Sequence, residues 1–260
     1  MNKTLEAFSR LIEIMDELRE NCPWDKKQTF DSLRHLTIEE TYELADAIIE
    51  KDMDEIKKEL GDLILHIVFY SKIASENNSF TLKDVLESIN SKLIRRHPHI
   101  YSDVHVDNDE QVKENWEKIK LKEGAKKKVL SGVPASLPAM IKAYRIQEKA
   151  RGVGFDWEKP EQVWEKVQEE LQELKTEVES GESPEKIEEE FGDFLFALIN
   201  YSRFIDVNPE NALERTNKKF IHRFEHLEKN AKENGKDMKK MSLAEMDVFW
   251  EEAKKTEPGK

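Results

Sequence analysis

At 260 residues, 38% of them hydrophobic, the chain is long enough for one large domain or for two small ones with cores of their own. Its 55 Asp and Glu against 42 Lys and Arg leave a formal charge of -13, which argues against affinity for a nucleic-acid polymer or an anionic membrane; an anionic ligand would need a metal or a local basic cluster. The single cysteine, Cys22, cannot form an internal disulfide, the N-terminal segment shows no charged-then-apolar signal pattern, and the longest apolar runs fall short of the roughly 20 residues of a bilayer span, so a cytoplasmic protein is expected.

Only 9 Gly and 8 Pro punctuate the chain, and between them apolar residues recur at helical spacing, which predicts an all-α fold. Leu5 to Arg19 gathers Leu5, Phe8, Leu11, Ile12 and Met15 on one face, and Cys22-Pro23-Trp24-Asp25 ends it. A second helix is expected over about Phe30 to Glu50, although Thr37-Ile-Glu-Glu40 resembles a capping box and offers a later start. A third, about Met53 to Glu76, passes through Glu59-Leu-Gly61-Asp62 into an apolar run containing His66, which reads as a packed or hydrogen-bonded core histidine. Thr81-Leu-Lys-Asp84 caps a helix that reaches Arg96 and stops at His97-Pro98, and a further helix over about Asp109 to Lys122 holds Trp116.

Gly, Lys, Ser and Pro then mark a linker, after which the same order of features returns. Asp156-Trp157 answers Trp24-Asp25, Glu169-Glu170-x-x-Glu173 answers Glu39-Glu40-x-x-Glu43, and Glu190-x-Gly-Asp193 answers Glu59-x-Gly-Asp62. Lys219-x-x-x-Arg223 repeats Lys92-x-x-x-Arg96, and Trp250 repeats Trp116. A repeat near 130 residues is too long for a solenoid unit and predicts two tandem helical-bundle domains, 1–123 and 138–260, joined by 124–137.

The chemistry gathers between Lys166 and Arg203. Residues three apart share a helix face, so Glu170 pairs with Glu173 and Glu190 with Asp193, and a turn around Gly181 to Ser183 folds the two helices antiparallel. Four such oxygen ligands suit Mg²⁺ or Mn²⁺. Asp193 is followed by six apolar residues, Phe194 to Ile199, which predicts a buried carboxylate that needs a counter-charge. Glu40, Glu43, Glu59 and Asp62 form the corresponding candidate metal site of the first half. Lys219 and Arg223, one turn apart, are placed either to grip phosphate oxygens or to pair with surface acids; Lys166 and Lys186, each one turn before a candidate ligand, are further phosphate candidates. Trp250 either stacks on a base or anchors the last helix, and aromatic burial favours the anchor. A di-iron centre wants Glu-x-x-His on two helices, and no such pair occurs. An acidic helical adaptor is the non-enzymatic alternative.

Together with Cys22-Pro-Trp-Asp25-Lys-x-Gln-Thr29, Arg95-Arg-His-Pro-His99 and Val153-Gly-Phe-Asp-Trp157, the acid pattern resembles the MazG family of nucleoside triphosphate pyrophosphohydrolases in its two-domain bacterial form, over essentially the whole chain. The resemblance implies cleavage of an NTP or dNTP between the α and β phosphates, releasing the monophosphate and pyrophosphate. It implies Mg²⁺ on Glu170, Glu173, Glu190 and Asp193, nucleotide contacts from Lys166, Lys219, Arg223 and Trp250, and catalysis in the second domain. Glu169 or a ligand carboxylate's free oxygen is the candidate proton acceptor. Helical hairpins of this kind leave an apolar side open, so a homodimer is expected.

Overall fold

The computed structural model describes residues 2–102, 128–181 and 183–255, together with 104, 106, 108, 111, 112, 115, 116 and 119. Every regular element among them is helical, with no strand, and the chain divides into two compact units, Met1–Lys122 and Glu123–Lys260. None of the described helices is long and apolar enough to cross a membrane. The helix expected over about Asp109 to Lys122 falls largely on residues outside the described set.

The first unit contains α1 (Lys3–Asn21), α2 (Phe30–Glu50), α3 (Met53–Glu76), α4 (Leu82–Arg96) and the single turn α5 (Pro98–Tyr101). Thr29 and Ser32 exchange capping hydrogen bonds, each side chain accepting from the other's backbone N–H, and this fixes the start of α2. The later start at Thr37 is not used, because Thr37 lies inside the helix and its hydroxyl donates back to the Leu33 carbonyl. At the other end Lys51 takes the left-handed conformation, φ 60°, and Asp52 caps α3. Met15, Leu33, Val68, Phe69 and Ile73 are the buried core, contributed by α1, α2 and α3. Arg19 fastens the motif after α1: it donates to the Asp25 and Gln28 carbonyls and pairs with Glu76 at the end of α3. Pro98 starts α5 rather than closing the helical segment, as a proline in the first turn can.

The second unit opens with a 3₁₀ turn, Val129–Gly132, inside the stretch read as linker, then α6 (Ala139–Arg151), α7 (Pro160–Ser180), α8 (Pro184–Phe204), α9 (Pro209–Glu233) and α10 (Leu243–Lys255). Gly181, at φ 65°, ends α7 in the left-handed conformation, and Ser183 with Pro184 starts α8. The tight turn makes α7 and α8 a hairpin. Packing then runs in sequence: α6 lies on α8, α9 touches α6, and α10 lies on α9. The α6–α8 contact includes a Gln147 side-chain amide donating to the Phe196 carbonyl at 2.8 Å. Arg203, at the end of α8, donates through Nη2 to both oxygens of Asp156 at 2.8 and 2.9 Å, holding the loop that leads into α7.

Candidate functional site

Each unit gathers carboxylates on its hairpin. In the second, oxygens of Glu170, Glu190 and Asp193 lie within 4.8 Å of one another; in the first, those of Glu40, Glu43 and Glu59 do. The sequence pattern named four ligands per site. The structure brings three together in each and leaves out a different one: Glu173, exposed on α7, in the second unit and Asp62, half-buried on α3, in the first. The missing acids still bear on the clusters, since Glu173 is among the charges raising the Glu190 pKa and Asp62 among those raising that of Glu40.

Burial differs from expectation at Asp193. The apolar run after it predicts a buried carboxylate, but Asp193 is exposed, because α8 packs chiefly on α7 and α6 and leaves Phe191, Leu195, Phe196 and Leu198 at the surface. The buried acids are Glu170, at 7% exposure, and Glu59, at 2%. Their counter-charges differ. Lys166 Nζ lies 2.7 Å from both Glu169 and Glu170, a double pairing that holds the lysine protonated. Glu59 pairs at 2.9 Å with its neighbour Lys58, which holds its carboxyl below the usual range, yet its Oε2 is buried without a hydrogen-bond partner. Burial, together with the Glu59 carboxylate and the charge of Asp62, pushes Glu40 up to about 6. Glu43 is raised by burial and by Glu59, and Glu190 by burial and then by Glu173, Glu170 and Asp193. Burial and the repulsion of neighbouring carboxylates account for these raised values.

The basic candidates fall into two groups. Lys166 sits among the acids, and Lys186 is exposed in the first turn of α8. Lys219 and Arg223 lie on α9, where Arg223 stands 5.6 Å over the ring of Trp250. Trp250 meets Phe220 edge-on at 5.0 Å and is half-buried, so it anchors α10 to α9 and carries a cation on its face at the same time. The α9–α10 hairpin does not have α7 or α8 among its chief packing partners.

Three features escaped the sequence reading. Lys58, paired with both Glu55 and Glu59, carried a signal in its i,i+3 spacing from Glu55. Glu177, one turn past Glu173, has a buried oxygen without a partner and adds to the charge on Glu190; its spacing was visible, but the acid motif ends before it. The Asp156–Arg203 pair joins residues 47 apart, and no local pattern announces it.

Two all-helical units, each with a carboxylate hairpin, define a duplicated helical-bundle protein with two candidate cation sites. Residues 28–101 and 158–228 match the family described as MazG nucleotide pyrophosphohydrolase domain. The chain is 45% identical over 251 residues to the nucleoside triphosphate pyrophosphohydrolase/pyrophosphatase MazG of Thermotoga maritima, covering 95% of each chain. It is 40% identical over 260 residues to the nucleoside triphosphate pyrophosphohydrolase of Escherichia coli, covering 97% of this chain and 99% of that one. A mazG-related crystal structure from Thermotoga maritima aligns with 43% of this chain and 97% of its own, at 24% identity and a TM-score of 0.39. The chain belongs to the MazG nucleotide pyrophosphohydrolase family.

Proposed function

We propose that the protein hydrolyses nucleoside or deoxynucleoside triphosphates between the α and β phosphates, with Mg²⁺ held by the second unit, and that it works as a homodimer. The observation that carries this reading is the convergence of Glu170, Glu190 and Asp193 within 4.8 Å, with Lys166 against Glu170, in a chain of this family. The donor set fits a hard divalent cation: it is all carboxylate, and burial and then the surrounding acids raise Glu190. Glu173 stands one turn along α7 as a further ligand. The first unit fits as well, through the unpartnered Oε2 of Glu59.

A bound Mg²⁺ supplies charge neutralisation for the triphosphate and a water of lowered pKa. The chain's own residues do the rest. Lys166 and Lys186 stand beside the acids where a polyphosphate would meet them, and Lys219 and Arg223 are the further phosphate donors. Lys166 is shared between Glu169 and Glu170. When it turns to a phosphate oxygen it releases the Glu169 carboxylate, which takes the proton of the attacking water as pyrophosphate departs.

The test is pyrophosphate release from a panel of NTPs and dNTPs with and without chelator. Glu190→Gln is expected to lower the rate about a hundredfold or more, while Glu59→Gln leaves most of it if catalysis resides in the second unit. Release that survives chelation, or an unaffected Glu190→Gln enzyme, contradicts the reading.

A further inference from the structure

The apolar run of α8 does not by itself say which way the helix faces. Phe194 to Ile199 is apolar on every side, and apolar burial is non-directional, so it rewards many rotations about the helix axis nearly equally. The rotation adopted leaves Leu195, Phe196 and Leu198 exposed and buries the polar Asn200 and Ser202, which apolar burial does not favour. Polar contacts fix it instead. Gln147 on α6, 6% exposed, donates through Nε2 to the Phe196 carbonyl at 2.8 Å, three residues past Asp193. Arg203 donates through Nε to Asn200 Oδ1 at 3.0 Å and through Nη2 to Asp156.

Of these contacts, the one from Gln147 reaches α8 nearest the acids, and it opposes stability. A carbonyl only accepts, so the amide must turn its nitrogen to Phe196, and its Oε1 is left buried with no partner. An orphaned buried acceptor destabilises a fold. The Phe196 carbonyl has no need of the amide, since inside α8 it is served by the N–H four residues on. The first unit shows that a bundle of this kind does not require such a contact. There the helix before the hairpin, α1, meets α3 through the apolar Met15, packed with Val68, Phe69 and Ile73.

We infer that Gln147 is a positioning residue of the second unit's carboxylate site: by holding the α8 backbone at Phe196, it fixes the rotation at which Glu190 and Asp193 meet Glu170. It touches neither cation nor nucleotide and acts through the helix that carries the acids. This rests on the function proposed above in taking that site to hold Mg²⁺.

The experiment compares full-length wild type with Gln147→Met, which keeps the length of the side chain and removes both polar atoms. Scanning calorimetry with increasing Mg²⁺ reads binding without turnover, and the unaltered first unit is the internal control. Without cation, the second unit of the variant is expected to melt at or above the wild-type temperature, because the orphaned oxygen is gone. It is expected to need about tenfold more Mg²⁺ for the same upward shift, as when a residue that orients metal ligands is lost. Pyrophosphate release should show the same displacement in its Mg²⁺ dependence and return toward the wild-type rate at saturation, whereas Glu190→Gln, which lacks a ligand, should not recover. A Mg²⁺ requirement equal to that of wild type overturns the inference whatever happens to the melting temperature, since Gln147 would then only pack. A wild-type second unit that ignores Mg²⁺ overturns the function proposed above and this inference with it, so the two failures are told apart.

Discussion

Thr37 Oγ1 lies 2.7 Å from both His66 Nδ1 and the Tyr70 hydroxyl, a polar contact set against the apolar core of the first unit. Tyr70 also stacks on Phe30, with ring centroids 5.5 Å apart, so the contact joins the start of α2 to the middle of α3. Removing the shared hydroxyl leaves a buried imidazole with one partner fewer. Thr37→Val is therefore expected to cost about 1–3 kcal/mol in urea unfolding. His66 also sets a pH dependence. Burial lowers its pKa from 6.5, against a smaller opposite pull from Asp62, so the folded state keeps it neutral where the unfolded chain takes up a proton. The associated stability is fully present above the unfolded value of 6.5 and is lost as the pH falls through the depressed folded value. Unfolding between about pH 8 and about pH 5 should show wild type weakening toward acid more steeply than His66→Gln. Equal slopes for the two proteins would remove His66 from the account.

At the scale of elements the first helix of each duplicated hairpin ends in the same left-handed conformation, supplied by different residues. Gly181 takes φ 65° at the end of α7, and Lys51 takes φ 60° at the end of α2. A side chain in that conformation is strained where glycine is not, so Gly181→Ala is expected to cost roughly 1 kcal/mol, read as a lowered denaturation midpoint. No change in the midpoint would mean that the turn relaxes. These turns and the capping residues Thr29, Thr81, Ser183 and Asn208 are local chemistry, which is why the hairpins were legible in the sequence. Helix α6 was not: no side chain caps its start at Pro138, and its one fully buried residue is the polar Gln147. The carboxylate pairs were legible as residues but not as geometry. Helical spacing puts Glu170 and Glu173 on one face, and side-chain direction with the packing of the facing helix then decides that Glu170 joins Glu190 and Asp193 while Glu173 does not. The exposure of Asp193 was out of reach for a related reason, since an apolar run fixes what a helix offers to neighbours and not how many it finds.

Across the whole molecule, two units with separate cores each carry an acid cluster, and this makes stability a readout of cation binding unit by unit. Glu40 is the sensitive position. Its carboxyl titrates at about 6 in the fold, against an ordinary 4.5, so the ionised form is disfavoured by folding. The extra proton stabilises the folded state fully below the ordinary value, and that contribution is gone once the pH has risen through about 6. Without divalent cation, Glu40→Gln, which mimics the neutral acid, should raise the melting temperature of the first unit at about pH 8 and change it little at about pH 4. Adding Mg²⁺ should reverse the order, because a ligand that binds only the folded state stabilises it by about 2.7 kcal/mol at a hundred times its dissociation constant. The variant lacks one of the carboxylate oxygens that would hold the ion. In scanning calorimetry, wild type should show both units shifted upward by Mg²⁺. Glu40→Gln should keep the shift of the second unit and lose that of the first, and Glu190→Gln should do the opposite. A first unit that ignores Mg²⁺ in the wild-type protein would show that Glu40, Glu43 and Glu59 gather without holding a cation.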